Sequence, residues 1–137
     1  MRFMMFIYPG VSDEADWAPT AEEVGSMTSY NEELTKAGAL LALDGLHPAS
    51  KGARIAFSGG TRTVTDGPFA SAKEVVGGYW IIDVKSKEEA VEWASRCPLG
   101  EGDMIEVRQV FEMTDFPPDV QEAGGLSQEP PEQTAAR

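Results

Sequence analysis

Apolar and polar positions alternate in two periods along the chain, and the switches between them divide it into elements. Arg2-Phe3-Met4-Met5-Phe6-Ile7-Tyr8 is an apolar run of strand length that stops at Pro9-Gly10. Without alternation it predicts a strand covered on both faces, in the middle of a sheet. Thr20 with Glu23 three residues on has the spacing of a capping box, behind Pro19. The helix it opens carries Val24, Met27, Leu34 and Ala37 at helical spacing and ends at Gly38. Ala39 to Leu46 reads as a second apolar strand. Lys51 to Phe57 and Thr61 to Thr65 read as the arms of a hairpin whose tight turn is Ser58-Gly59-Gly60-Thr61. Asp66-Gly67-Pro68 breaks the second arm, and the stretch to Glu74 predicts only a turn or loop.

Gly77-Gly78 then opens the β-branched and aromatic strand Tyr79 to Val84, the glycines marking a bulge or a close backbone approach. Ser86 and Glu89 repeat the capping-box spacing, and the following helix places Ala90, Trp93, Ala94 and Cys97 on one face before Pro98. Met104 to Met113 predicts a last strand. Ile105, Val107, Phe111 and Met113 share one of its faces, and Glu106, Arg108, Val110 and Glu112 the other. From Pro117 on there are four prolines and no aromatic residue. Residues 1–116 therefore read as one domain, and 117–137 as a Pro-rich acidic tail with too little apolar surface to order itself.

Strand, helix, strand, hairpin, strand, helix, strand is an α+β order. It predicts a ferredoxin-like arrangement, βαββαβ with an inserted hairpin, in which two helices cover one face of a mostly antiparallel sheet. The other face stays open and carries large apolar side chains, a patch that monomers rarely leave wet. Two copies packed face to face remove it, so a homodimer is expected. Glu106, Arg108 and Glu112 must then find partners or water between the sheets, which predicts a polar, partly hydrated cavity.

Charge narrows the partners. Eleven Lys+Arg against 23 Asp+Glu give a net charge of -12, which repels phosphate backbones and anionic headgroups, so neither nucleic acid nor a membrane surface is expected to bind. Cys97 is the single cysteine, so no disulfide can form within the chain, and no run is long enough for a membrane span; the expected address is the cytoplasm. Phosphate-cradling glycine motifs, the H-E-x-x-H pattern and paired cysteines are all missing, so no cofactor and no metal are expected.

Val64-Thr65-Asp66-Gly67-Pro68-Phe69, continuing through Lys73-Glu74-Val75-Val76-Gly77-Gly78-Tyr79-Trp80-Ile81-Ile82, resembles the DGPF branch of the YCII-related family. Met4 to Tyr8 and Ile105 to Glu112 extend the resemblance over nearly all of residues 1–116. It implies a ferredoxin-like dimeric α/β barrel. It implies no particular reaction. Some YCII-related proteins are proposed to use an Asp and a His in a cavity, and many DGPF members are encoded beside sigma factors of the extracytoplasmic-function class. Asp66 matches the motif aspartate, and His47, the sole histidine, follows the second strand.

Each candidate has a functional and a structural role open to it. Asp66 is a general acid or base at the rim of the inter-sheet cavity, or a turn-former whose carboxylate accepts a backbone N–H of Phe69 or Ala70. His47 is an imidazole base oriented by Asp66, or a solvent-facing loop residue. Lys73 clamps an anionic ligand, or pairs with Glu74 in a turn. Glu106 and Arg108, two apart on one strand face, bind ligand or pair with each other. Of Tyr79 and Trp80, which point to opposite faces, one is core and the other a cavity wall with a polar handle. Cys97 reads as a small core hydrophobe. Three functions stay open: a small-molecule enzyme using Asp66 as general acid/base, with His47 assisting and Lys73, Tyr79, Arg108 and Glu106 around the ligand; a non-catalytic ligand-binding or accessory protein linked to extracytoplasmic-function sigma-factor signalling; or a plain dimeric scaffold with no ligand.

Overall fold

The computed structural model describes residues 1–69 and 74–124. Strand β1 (Arg2–Tyr8) leads through a 3-10 turn to helix α1 (Ala21–Lys36), then β2 (Leu40–Gly45), the hairpin β3 (Ala53–Ser58) and β4 (Thr61–Asp66), β5 (Gly78–Asp83), helix α2 (Lys87–Ser95), β6 (Met104–Gln109) and a short helix α3 (Pro118–Gly124). The main sheet has the order β2-β5-β1-β6 with every neighbouring pair antiparallel, and β3-β4 forms a sheet of its own. This α+β arrangement is compatible with a ferredoxin-like fold.

Both long helices start where the capping residues predict. Thr20 Oγ1 accepts from Glu23 N, and Ser86 Oγ from Glu89 N, so each cap satisfies a donor that the first turn leaves without an intrahelical acceptor. One stripe of each helix meets one face of the sheet. Tyr30 and Leu34 from α1 and Ala90, Trp93 and Ala94 from α2 are buried against Phe3, Met5, Trp80 and Ile82, with Cys97 and Val84 closing the end. Tyr30 sits where helices and sheet converge. Its ring meets Trp80 edge-on at 6.1 Å and Trp93 at 6.3 Å, and its hydroxyl donates to Trp93 O at 2.6 Å. Trp80 Nε1 in turn donates to Asn31 Oδ1 at 2.9 Å, so the polar ends of Tyr30 and Trp80 are both satisfied inside the protein. Burial pushes the Tyr30 phenol well above its ordinary pKa and the Cys97 thiol up to about 12, so both keep their protons.

Several elements differ from the pattern-based expectation. Val24 is 48% exposed because the α1 stripe begins a turn later, at Met27, and Ala37 is the cap rather than a core position. The last strand stops at Gln109, four residues early. Gln109 pairs with Phe3 and Val110 N donates to Arg2 O, so beyond this point β1 has no residues left to pair. The chain coils into a 3-10 turn at Met113–Asp115, and Phe111 stacks on Phe116 at 4.7 Å instead of joining a face. The bulge lies in β2, between Leu40 and Ala42, while Gly77 and Gly78 serve close approach: a Cβ on Gly77 would meet the Pro9 ring at 2.5 Å. The segment expected to be an unstructured tail begins with α3, whose Pro118 suits a first helical turn, although none of its residues is buried.

Replacing Tyr30 by Phe keeps the ring contacts and removes the 2.6 Å hydrogen bond, so chemical denaturation should show a loss of about 1 kcal/mol. The raised phenol pKa also sets a sign: its contribution is complete below the unfolded value of about 10 and is lost as pH rises above it, so the variant should decline less than the wild type on the alkaline side.

Candidate functional site

The face of the sheet away from α1 and α2 follows from the strand register. Because Phe3 and Met5 point into the core, Arg2, Met4, Phe6 and Tyr8 point outward, and their partners align in rows across it. One row runs Asp44, Tyr79, Phe6, Glu106; the next runs Ala42, Ile81, Met4, Arg108; a third holds Asp83 and Arg2. Its apolar middle, Met4, Phe6 and Ile81, is half-buried.

The rim of this face is charged and partly self-paired. Tyr79 Oη donates to Asp44 Oδ2 at 2.9 Å, and that carboxylate raises the Tyr79 pKa, chiefly through the hydrogen bond. Arg2 grips Glu112 with two hydrogen bonds, 2.7 and 3.0 Å, which hold the Glu112 carboxyl below its usual range. Arg108 and Glu106 approach only to 4.0 Å, with the Arg108 side chain 73% exposed, so its guanidinium is largely available. The Met1 ammonium meets Asp83 at 3.1 Å.

Tyr79, Glu106 and Arg108 therefore share one face, with Trp80 as the core member of its pair with Tyr79. Asp66 and His47 lie elsewhere. Asp66 ends β4 opposite Ala53, and its side chain is exposed; among the described residues no hydrogen bond reaches its carboxylate, from Phe69 N or from His47. His47 is likewise exposed in the loop after β2. Lys73 lies outside the described residues. Asp44 and the Arg2–Glu112 pair were not among the candidates, although an aspartate in the apolar run Leu40-Leu41-Ala42-Leu43-Asp44 was a signal for the first.

The rest of the Asp66-Gly67-Pro68-Phe69 motif works as a clasp. Gly67 N donates to Gly52 O at 3.0 Å, and a Cβ on Gly67 would sit inside the Ala49 carbonyl, so only glycine lets the two loops touch. Arg54 lies over the Phe69 ring at 3.8 Å. Beside the clasp is a cavity of about 200 Å³ lined by Ser12, Glu14, Trp17, Ala49, Pro68 and Phe69 among others. Glu14 Oε1 accepts from Ser50 N and Trp17 Nε1 donates to Leu46 O, so the cavity's polar groups serve loop packing.

Residues 1–114 match the YCII-related domain. The chain belongs to the YCII-related family. It is also 29% identical over 96 residues to a protein of Rhizobium meliloti (strain 1021) described as uncharacterized, an alignment covering 69% of this chain and 77% of the relative. The family match spans the four-stranded sheet, both long helices and the clasp, and stops before α3. Among the described residues of this YCII-related chain, no helix is long and apolar enough to cross a membrane.

The lowered Glu112 pKa gives a stability contribution that is present above the unfolded carboxyl value of about 4.3 and is lost as pH falls through the folded one. Melting temperatures followed from neutral pH into the acid range should fall more steeply for the wild type than for Glu112→Gln. Parallel curves would mean that the ion pair does not couple to folding.

Proposed function

We propose that the protein is a homodimeric small-molecule-binding protein, its two open sheet faces meeting in a dimeric α/β barrel around a polar cavity where a proton passes to or from the ligand. The observation that carries this reading is the composition of the open face. Met4, Phe6 and Ile81 are costly to leave in water, whereas Asp44, Glu106 and Arg108 are costly to bury dry. A hydrated cavity between two copies meets both demands.

In that cavity Tyr79 relays a proton from the ligand: the phenol oxygen takes up the ligand's proton as its own proton passes along the 2.9 Å hydrogen bond to the Asp44 carboxylate, so the phenol is neutral before and after. Arg108 binds an anionic group of the ligand and Glu106 limits its swing. Asp66 is the general acid/base of the family motif and His47 its assistant, reaching the cavity rim only in the dimer. The accessory reading, with its sigma-factor link, requires ligand binding without proton transfer.

Sedimentation equilibrium at micromolar concentration should return at least twice the 14.8 kDa chain mass, and Phe6→Asp should lower that mass with its helix content intact. A monomeric wild type contradicts the reading. Ligand-observed NMR with a panel of metabolite carboxylates and phosphates should detect binding that Arg108→Ala abolishes. For a ligand found this way, turnover that Tyr79→Phe or Asp66→Asn removes without loss of binding supports the enzyme; binding with no turnover in the wild type supports the accessory protein.

A further inference from the structure

We infer that the β3-β4 hairpin is a second self-association surface, on which β4 pairs antiparallel with β4 of another copy about a two-fold axis through Val64, with Arg62 of each strand opposite Asp66 of the other. The hairpin stands apart from the core. Every residue of both strands is exposed, including Ile55 at 49%, Phe57 at 72% and Val64 at 65%. A two-stranded ribbon of this kind is marginal alone and gains from a third strand.

The backbone phase makes β4 available. Gly59 and Gly60, with φ of 57° and 78°, form a two-residue turn that makes Ser58 and Thr61 a hydrogen-bonded pair. Such pairs recur at every second position, and the 3.0 Å bond from Gly67 N to Gly52 O lies in the same phase. Thr61, Thr63 and Thr65 thus spend their amides on β3. Arg62, Val64 and Asp66 aim theirs outward, along an edge that no other strand of the described residues occupies.

The side chains select the register. In Thr61-Arg62-Thr63-Val64-Thr65-Asp66, a dyad at Val64 sets Arg62 against Asp66, Thr63 against Thr65 and Val64 against itself, with every outward amide meeting an outward carbonyl. Two opposite-charge pairs form in this register, and shifting the axis to Thr63 or Thr65 loses both. Among the described residues neither Arg62 nor Asp66 has an ion pair, and the Arg62 guanidinium lies over the Phe57 ring at 5.6 Å. The same dyad on β3, at Ile55, offers no charge pair. Segment 51–66 carries Lys51, Arg54 and Arg62 against Asp66, a net charge of 3 − 1 = +2 in a chain of −12, so the excess acid of each chain lies outside the hairpin. The strand pairing does not depend on the open face being covered, but it shares Asp66 with the proposed proton-transfer role, so a carboxylate paired with Arg62 here is not the one acting at the cavity.

Cysteine cross-linking of the full chain tests it directly. Residues paired at the dyad have Cα atoms about 5.5 Å apart, within disulfide reach, and Cys97 is buried with its thiol pushed to about 12, so an introduced cysteine is the reactive one. Under diamide, Val64→Cys should give a cross-linked dimer at least about tenfold faster than Thr63→Cys. Adding Arg62→Asp sets like charges opposite one another at both pairs and should slow the Val64→Cys cross-link by about tenfold, equivalent to about 1.4 kcal/mol. Adding Arg62→Asp and Asp66→Arg together restores both pairs and should restore the rate. Equal rates for the two cysteines, or failure of the double reversal to rescue, overturns the inference. The rates should be unchanged in a Phe6→Asp background, which separates this surface from the open face; a cross-link lost with Phe6→Asp also overturns it.

Discussion

Two helices can cover only one face of a four-stranded sheet, and this limit organises the molecule. α1 and α2 lie on the same side because each links strands separated in the sheet by one antiparallel neighbour: α1 joins β1 to β2 across β5, and α2 joins β5 to β6 across β1. Their side is a core centred on Tyr30, where aromatic rings interlock and the Tyr30 hydroxyl and the Trp80 indole N–H each have an acceptor. The other side is left with what the strands carry. There Met4, Phe6 and Ile81 are bordered by Asp44, Arg2, Glu106 and Arg108, a mixture suited neither to bulk water nor to a dry interface.

Chemistry and structure divide the motif region between them. Gly67 and Phe69 hold loops together, the first through a contact that no side chain could share and the second under the Arg54 guanidinium. Asp66 is the member of the motif that stays outside this packing, with an exposed carboxylate. A proton-transfer role and an ion pair with another copy both depend on something meeting it from outside the chain. Tyr79 and Asp44, by contrast, are already in contact across β5 and β2 within one chain.

Much of the fold was legible from local signals. The capping boxes at Thr20 and Ser86, the glycine pair at the hairpin turn and the apolar runs of β1 and β5 each act over a few residues, and each element begins or turns where they place it. Errors arose where distant chain decides. The end of β6 is set by where β1 starts, which is not written near Gln109. The candidate site followed the same rule. Strand alternation placed Glu106, Arg108 and Tyr79 correctly relative to their own strands, but Asp44 joined Tyr79 and Glu112 joined Arg2 only through register across 35 and 110 positions of sequence.

The central claim is that a second copy covers the open face. Oxidative footprinting read by mass spectrometry measures it residue by residue, because Met4 lies at the middle of that face whereas Met104 sits at its edge and is 53% exposed. The account predicts that Met4 is protected at high protein concentration and becomes as reactive as in Phe6→Asp on dilution, with Met104 changing much less. A Met4 that reacts at the Phe6→Asp rate at every concentration would contradict it.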